Sequence, residues 1–144
     1  MSEIHQSALV AFSSEQMFTL VNDVLAYPSY LPWCEKAECL AASPSTMRAR
    51  LTVSKGRLRY TFTTDNTLDP PHRLELNLVD GPFRRLRGTW RFDDTPLGCR
   101  VSLDLEFEFA SRLLGATLSP LFKAVTGSLV GSFKQRAEAL YGRR

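Results

Sequence analysis

The feature that most constrains this fold is a period-two alternation of apolar and polar residues between Trp33 and Ala110. Side chains of a β-strand point alternately to its two faces, so each alternating segment predicts a strand with one apolar and one polar face. The segments are separated by the turn-forming sequences SPS, SKGR, LDPPHR, VDGPF and DDTPLG. This part of the chain therefore predicts an antiparallel meander with one dry and one wet face.

The SKGR turn predicts the register of one hairpin. A two-residue turn at Lys55–Gly56 would pair Ser54 with Arg57 and, further along, Leu51 with Tyr60. In that register every inward residue meets an inward residue. A slip by one residue would break the match.

Other periodicities appear on either side of the meander. The chain starts with a predicted strand over Glu3–Phe12, and the Ser13–Gln16 spacing then fits a capping box that opens a helix over Ser14–Leu25. Near the end, apolar residues three or four apart predict one long amphipathic helix over Ser111–Tyr141, kinked at Pro120. That helix would be about 45 Å long, enough to cross the sheet.

These elements predict an α+β fold in one domain over residues 1–144, with a curved antiparallel sheet of about seven strands around the C-terminal helix. A net charge of +3 is too weak to indicate a nucleic-acid partner. The three cysteines lack paired spacing and predict reduced thiols. No apolar run approaches the roughly 20 residues of a membrane span, and no targeting segment is visible. A cytoplasmic protein is expected.

Four stretches carry a resemblance to a known family: LVNDVLAYPSYLPWCEKAE, LVDGPFRRLRGTWRF, VSLDLEFEF and RAEALYG. They resemble the RatA / coenzyme Q-binding protein family of START-like (SRPBCC, polyketide cyclase/dehydrase-like) domains. The resemblance spans nearly the whole chain and implies the helix-grip fold. It also implies two different functions. One is ubiquinone binding in support of respiration, and the other is that of a toxin, which blocks association of ribosomal subunits. Arg57 stands where the family often carries a second glycine after Lys55–Gly56.

A sheet that grips one helix leaves a gap where the helix does not reach the strands. Apolar stripes are more often plain core, but Gly127 and Gly131 lie a turn apart on the helix and would leave room or allow close packing. We expect the gap to be lined by inward residues and covered by aromatic residues of the connector and the DGPF turn. The candidate ligand-binding residues are Tyr27, Tyr30, Trp33, Tyr60, Phe62, Leu78, Phe83, Trp90, Phe92, Phe107, Phe122, Val125 and Leu129, with Leu76 beside them.

The connector YPSYLPWC, Tyr27–Cys34, is apolar and stiff where connectors are normally polar. We predict that it forms a lid over the mouth of the gap, with a simple core plug as the alternative. A pocket lined this way suits lipids rather than sugars or nucleotides. An isoprenoid tail gains about 25 cal/mol per Å² of apolar surface that leaves water.

The sequence contains few residues that are candidates for catalysis. His5 and His72 are the only histidines, and no Ser-His-Asp, H-E-x-x-H or P-loop spacing occurs. Asp23 and Asp65 are candidate acids, but an aspartate beside Asn66 and Thr67 is more often a turn cap. We therefore predict no catalytic residue, no metal site and no enzymatic activity.

One hairpin predicts a basic patch on the wet face. Its residues, Arg48, Arg50, Lys55, Arg57 and Arg59, face Ser and Thr with no local carboxylate to offset them. In contrast, the arginines of LVDGPFRRLRGTWRF should lie opposite the acidic residues of VSLDLEFEF. The patch is interpreted as a solvated sheet edge, as a contact with an anionic inner-membrane surface, or as a contact with RNA of the large ribosomal subunit.

Two hypotheses remain. The first is a non-enzymatic carrier of a hydrophobic small molecule, an isoprenoid quinone such as ubiquinone, that requires no other cofactor. The alternative is a regulator that binds the ribosome through the basic patch.

Overall fold

The computed structural model of the protein describes residues 2–127 and 129–142. Within these residues the strands form one antiparallel sheet in the order β1-β7-β6-β5-β4-β3-β2. The strands are β1 (Ser2–Val10), β2 (Cys34–Ala42), β3 (Thr46–Lys55), β4 (Leu58–Asp69), β5 (Arg73–Asp80), β6 (Phe83–Thr95) and β7 (Gly98–Phe109). The helices are α1 (Ser14–Asn22), α2 (Arg112–Thr126) and α3 (Leu129–Tyr141), and a 3₁₀ turn spans Val24–Ser29. The predicted α+β fold, with about seven strands and C-terminal helical structure, is confirmed.

Helix α1 begins with the predicted capping box. The Ser13 hydroxyl accepts a hydrogen bond from the Gln16 backbone N–H at 3.1 Å, and the Gln16 side-chain oxygen accepts one from the Ser13 backbone N–H at 3.0 Å. The helix ends at Asn22, three residues before the predicted end, because Asp23 leaves helical geometry at φ −83° and ψ 72°. The chain then tightens into the 3₁₀ turn that starts the connector.

The β3–β4 hairpin has the predicted faces but a different register. Lys55 pairs with Leu58 and Leu51 with Phe62, so the two turn residues are Gly56 and Arg57. The shift from the predicted register is two residues, which keeps every inward residue opposite an inward residue. Gly56 has φ +61° at the first central position, where a type II′ turn requires a positive φ. Arg57 takes the second position, where no positive φ is needed.

The C-terminal helix runs through Pro120 without a fresh start, as predicted, but it is divided further along, because α2 ends at Thr126 and α3 begins at Leu129. Helix α2 continues through Pro120, because this residue and Ala116 are both exposed, so the carbonyl that loses its hydrogen bond faces solvent. Helix α3 begins two residues after Gly127. Ser128, which the sequence placed inside one continuous helix, lies outside the described residues.

Within Arg112–Tyr141 an 18-residue window has a mean hydropathy of 1.4, so by length and composition this helical stretch could cross a membrane, contrary to the expectation that no apolar run is long enough. Its apolar character has a structural explanation, because the two helices pack against the concave face of the sheet. The buried residues are Leu118, Leu121, Phe122 and Val125 of α2 with Val130, Phe133 and Ala137 of α3. This is the packing of a core helix in a globular domain.

Candidate functional site

A cavity of about 100 Å³ lies between the concave face of the sheet and the helices. Strands β3 to β7 form its floor, and α1, the connector and the two C-terminal helices form its remaining walls. Nearly all of the lining surface is apolar. The expected gap between the sheet and the helix therefore exists in this structure.

Eight of the thirteen candidate ligand-binding residues line this cavity. They come from the connector, from strands β4 and β6, and from α2 and α3. The eight are Tyr27, Trp33, Tyr60, Phe62, Trp90, Phe122, Val125 and Leu129, and Leu76 lines the cavity beside them.

Phe83 and Phe107 do not line the cavity, contrary to expectation. Phe107 lies 4.2 Å from Phe122 between ring centroids, and Phe83 stacks on Phe109 at 5.0 Å. Helix α2 covers this end of the sheet closely, so these rings pack solidly against it and form an aromatic cluster. The DGPF turn with Phe83 is therefore part of the core and does not border the cavity.

Tyr30, Phe92 and Leu78 also lie outside the cavity wall. The Tyr30 ring packs against Phe133, with the Arg136 guanidinium 4.7 Å from its centroid. Phe92 has no exposed surface; its ring lies 5.8 Å from that of Phe18, which α1 presses onto this end of the sheet. Leu78 is half-buried next to Gly81, in the part of β5 that pairs with β4 but no longer with β6.

The connector is a packed wall rather than a lid. Leu31 is 1% exposed, and Tyr27 and Trp33 are each 8% exposed while also lining the cavity. The Tyr27 hydroxyl donates a hydrogen bond to the Val21 carbonyl, which ties the connector to α1. The plug alternative describes this packing better, with the addition that the plug forms one side of the cavity.

The two helix glycines do not create the cavity. Gly127 and Gly131 are both exposed, and a Cβ added at Gly131 would meet nothing within 4 Å. Gly127 marks the break between α2 and α3 instead. Ala49 and Val125 line the cavity with short side chains, and Val125 was already among the candidate residues.

Polar side chains on the cavity floor were missed by the sequence prediction. Thr64 and Asn66 alternate inward with Tyr60 and Phe62 on β4, and they are only 6% and 4% exposed. The Thr64 hydroxyl donates a hydrogen bond to the Asn66 side-chain oxygen at 2.8 Å. The period-two pattern could have located both residues, but the polar run that contains Asp65 was interpreted as a turn.

Asp65 belongs to the interior of β4 and is not a turn cap. Its carboxylate accepts two hydrogen bonds from the Arg48 guanidinium, at 2.7 and 2.9 Å on the convex face. These bonds hold the pKa of the Asp65 carboxyl below its usual value. A carboxylate held ionised on the outer face cannot act as an acid in the cavity.

Ser14, His72 and Asp94 come together without forming a catalytic triad. The Ser14 hydroxyl donates to one Asp94 oxygen at 2.6 Å, and His72 Nε2 lies 2.9 Å from the other. Because the aspartate stands between the other two groups, the histidine cannot take the serine proton. These hydrogen bonds, first from Ser14 and then from His72, lower the pKa of Asp94. Within the described residues no cluster of His, Cys, Asp and Glu suits a metal ion.

The basic patch is largely neutralised, contrary to the prediction that no carboxylate offsets it. Arg48 pairs with Asp65, Arg59 pairs with Glu35 at 2.8 Å, and Arg50 lies 3.6 Å from Glu38. Two of these partners lie on β2, which is the edge strand, so the arginines of β3 and β4 do not form the sheet edge. The partners escaped the sequence prediction because the pairing of β2 with β3 includes two register shifts.

Lys55 and Arg57 remain as the unpaired part of the patch. Both are exposed at the β3–β4 turn, and neither has an ion-pair partner among residues 2–127 and 129–142. The predicted cross-strand pairs of the other hairpin are present, with Arg91 2.8 Å from Asp104 and Arg87 3.6 Å from Glu106. The free positive charge of this hairpin is therefore concentrated at its tip.

A curved antiparallel sheet around C-terminal helices, with an apolar cavity between them, defines a START-like helix-grip domain. A START superfamily protein from Mycobacterium smegmatis shares this structure with a TM-score of 0.79 at 21% identity, over 96% of this chain and 98% of that one. The chain belongs to the family described as polyketide cyclase / dehydrase and lipid transport, whose model matches residues 10–134.

Two curated relatives agree with the resemblance seen in the sequence. The chain is 46% identical over 144 residues to the ribosome association toxin RatA of Pseudomonas aeruginosa, covering 98% of this chain and 99% of the relative. It is 30% identical over 147 residues to the mitochondrial coenzyme Q-binding protein COQ10 homolog B of Xenopus laevis, covering 99% of this chain and 60% of the relative. The predicted family is confirmed, and its two named functions both stand among the relatives.

Solved structures with this fold also include an enzyme. The Zhui aromatase/cyclase from Streptomyces sp. R1128 has a TM-score of 0.72 at 19% identity, over 99% of both chains. At that identity the likeness shows the fold alone. The two curated relatives above are named as a toxin and a binding protein.

Proposed function

We propose that the protein is a non-enzymatic binding protein for a hydrophobic small molecule of the isoprenoid quinone class. The observation that carries this proposal is the cavity of about 100 Å³ with an almost wholly apolar lining. Such a lining favours an apolar guest, because each Å² of apolar surface that leaves water contributes about 25 cal/mol. The name of the coenzyme Q-binding relative supports a quinone as that guest.

The size of the cavity limits how much of a quinone it holds. An engineered protein cavity of about 150 Å³ binds one benzene molecule, so about 100 Å³ accommodates one ring or one prenyl unit after slight expansion. A long isoprenoid tail must then lie outside the cavity, or α2 and α3 must move away from the sheet. The protein would act in the cytoplasm, with quinone exchange at the inner membrane as its contact with lipid.

The absence of a catalytic role is part of the same proposal. His5 and His72 lie on the outer surface, and neither lines the cavity. The titratable side chains of the cavity wall are the phenols of Tyr27 and Tyr60, and burial raises the pKa of both well above the ordinary value. A phenol held neutral in this way is a poor acid–base catalyst at neutral pH.

The test begins with the protein purified from its own host. Mass spectrometry of an organic extract should detect an isoprenoid quinone near one molecule per chain. Protein without quinone that also ignores added decyl-benzoquinone would refute the proposal.

A matched pair of variants locates the binding site. Ala49→Leu adds three carbons inside the cavity, whereas Ala41→Leu adds the same carbons at an exposed position of β2. We expect Ala49→Leu to weaken binding of decyl-benzoquinone at least about 10-fold, because the leucine side chain would occupy the volume that the quinone ring needs. Ala41→Leu should bind it as the wild type does. Equal binding by both variants would place the ligand elsewhere.

A second candidate function is regulation of ribosome assembly, and the 46% identity to a ribosome association toxin favours it. The exposed charges of Lys55 and Arg57 at the hairpin tip would supply the contact with RNA phosphates. Overproduction should then raise free subunits relative to assembled ribosomes on sucrose gradients. Unchanged profiles would refute this function.

A charge-reversal comparison tests the surface. Lys55→Glu with Arg57→Glu should abolish the change in the gradient profile. Lys123→Glu with Lys134→Glu changes the net charge equally on the exposed side of α2 and α3, and it should leave the activity intact. Loss of activity in both double variants would show that only net charge matters.

A further inference from the structure

Asn66 lies at the centre of the concave face of the sheet. It pairs with Leu76 on β5, which pairs with Gly88 on β6, which pairs with Leu105 on β7. Its neighbours across this row are therefore apolar, and Asn66 is only 4% exposed. A central polar side chain in an apolar cavity floor has no role in the packing of the core, because an apolar residue would fill the position at lower cost.

The hydrogen-bonding capacity of Asn66 is only partly used. A side-chain amide has one oxygen acceptor and two N–H donors. The Thr64 hydroxyl occupies the oxygen at 2.8 Å, and the hydrogen bonds of the described residues leave the amide nitrogen unengaged. The cavity therefore offers a hydrogen-bond donor to whatever occupies it.

The Tyr60 hydroxyl is a weaker candidate for the same role. It also lacks a hydrogen-bond partner among the described residues, but it is sealed from all open space by its neighbours. Its ring packs between Phe62 and Phe83, with ring centroids 5.8 Å apart in both contacts. Along the strand the two residues are about 20 Å apart, since a strand rises about 3.3 Å per residue. One small ring cannot contact both.

We propose that the cavity receives the ring of the ligand with an oxygen of that ring hydrogen-bonded to the Asn66 amide, and that the apolar tail points away from the sheet. The inference rests on the proposed function and deepens it by assigning an orientation. The cavity volume of about 100 Å³ holds one ring or one prenyl unit, and the Asn66 amide donor favours the ring, because a prenyl unit has no oxygen to accept its hydrogen bond. The ligand class is therefore a tailed ring with a carbonyl oxygen, and not a plain hydrocarbon or fatty acyl chain.

The test compares two probes that share a tail. Decyl-benzoquinone carries ring oxygens and decylbenzene has none, so their affinity ratio isolates the contribution of those oxygens. We expect the wild-type protein to prefer the quinone by about 3- to 10-fold, the range of one neutral hydrogen bond. The infrared carbonyl stretch of the bound quinone should shift to lower frequency. In the NMR spectrum the Asn66 side-chain amide protons should shift with the quinone and not with decylbenzene.

Variants then assign the preference to one residue. Asn66→Ala should lose the preference and the infrared shift while keeping its affinity for decylbenzene. Asn77→Ala makes the same change at an exposed position on the opposite face of the sheet and should leave both affinities unchanged. Tyr60→Phe removes the sealed hydroxyl of a cavity-lining residue, so it should change the affinity for both probes by the same factor and leave their ratio at the wild-type value. Both Asn66→Ala and Tyr60→Phe keep hydrophobic binding measurable, so a folding defect is detected separately.

The outcomes are distinguishable. Equal affinity of the wild type for the two probes overturns the orientation and leaves the hydrophobic binding function standing. Loss of the preference in Tyr60→Phe but not in Asn66→Ala places the ring at the other end of β4 and also overturns it. Failure of both probes to bind the wild type refutes the proposed function and the orientation together.

Discussion

The convex and concave faces of the sheet differ in whether their polar side chains have interaction partners. On the convex face, Arg48, Arg59 and Arg91 each have a carboxylate partner within 2.9 Å, and all three are well exposed to solvent. On the concave face, Asn66 is buried, and among residues 2–127 and 129–142 its amide nitrogen has no hydrogen-bond partner. Apart from the hairpin tip at Lys55 and Arg57, the strands therefore carry paired charges outside and a polar couple inside.

The difference lies in what each arrangement costs. Exposed ion pairs contribute about 0–1 kcal/mol, so they can be gained or lost with little effect on the fold. A polar group inside an apolar pocket costs free energy unless it is hydrogen-bonded. The convex face is thus weak evidence about function despite its many charges. The concave face bears more directly on function, because Thr64 and Asn66 place polar groups among apolar lining residues, where they are costly unless hydrogen-bonded.

The sharpest test of this comparison places a charge on the concave face. Asn66→Asp replaces an amide with a carboxylate of the same shape, and burial should raise its pKa by about three units, which costs about 4 kcal/mol at neutral pH. The pKa of the introduced carboxyl in the folded protein would lie above its unfolded value of about 3.9. The loss of folding free energy is therefore absent below about pH 3.9 and grows as the pH rises through the folded pKa.

Urea unfolding of this variant and of the wild type at about pH 4 and about pH 7 measures the effect. The opposite exchange on the convex face, Asp104→Asn, serves as the matched control and should change stability far less. An Asn66→Asp protein as stable as the wild type at neutral pH would show that solvent reaches the cavity floor. The contrast between the two faces would then be wrong.

The next largest effect is a gain in stability. Replacing Thr64 by Val and Asn66 by Leu removes the hydrogen-bonded couple and its unsatisfied donor together. The ligand-free protein should become about 1–3 kcal/mol more stable, because apolar groups replace both partners and the cavity has room for the larger leucine.

The matching control makes the same two exchanges on the convex face, Thr52→Val with Asn77→Leu. There Thr52 and Thr61 hydroxyls lie 3.1 Å apart in solvent, so no gain is expected. Thermal or urea unfolding without ligand compares the two double variants. A concave variant that is less stable than the wild type would show that the couple supports the fold, and it would remove the reason to assign it to a ligand.

The sequence alone predicts which face each strand residue occupies much better than it predicts contacts. Period-two alternation correctly placed Tyr60 and Trp90 on the concave face, because the pleat leaves only two choices for each residue. The register of the β3–β4 hairpin was off by two residues, because the positive φ of Gly56 selects which two residues turn. That choice depends on backbone geometry and is invisible to the hydrophobic pattern.

Residues of the site could be predicted from the sequence only where the inward or outward direction of a strand side chain decides whether it reaches the cavity. Phe107 faces inward as expected but packs against Phe122, because the path of α2 across the sheet decides which inward residues are covered. The pattern carries no information on that path. The convex pairs of Arg50 and Arg59 were missed for a similar reason, since Glu35 and Glu38 reach them only through the bulged pairing of β2.

A smaller effect is expected from removing charge on the convex face. Asp104 pairs with Arg91 at 2.8 Å and with His5 at 2.6 Å, and these hydrogen bonds, first from His5, hold its pKa below the usual value. Asp104→Asn should lower the free energy of unfolding by at most about 1 kcal/mol, because the group is exposed and screened. Most of that difference should disappear in about 1 M salt. A loss that survives high salt would show that this face supports the fold by more than exposed ion pairs.

The smallest effect is a pH dependence that belongs to His5 on the convex face. Hydrogen bonds to Asp104 first, and then to Glu3, raise the pKa of this exposed histidine above its ordinary value of 6.5. The charged form is therefore favoured in the folded protein, and its contribution is fully present below pH 6.5 and is lost as the pH rises through the folded pKa. The stability difference between the wild type and His5→Gln should shrink over that interval.

Proton NMR titration of the His5 ring reports the folded pKa directly, and Asp104→Asn should return it toward 6.5 because the larger of its two causes is then removed. In the Asp104→Asn background, His5→Gln should change the pH profile of stability less than it does in the wild type, since the two residues act through one hydrogen bond. A His5 ring that titrates at or below 6.5 in the wild type would contradict the pairing. The charges of the convex face would then be less closely matched than the contrast with the Asn66 donor requires.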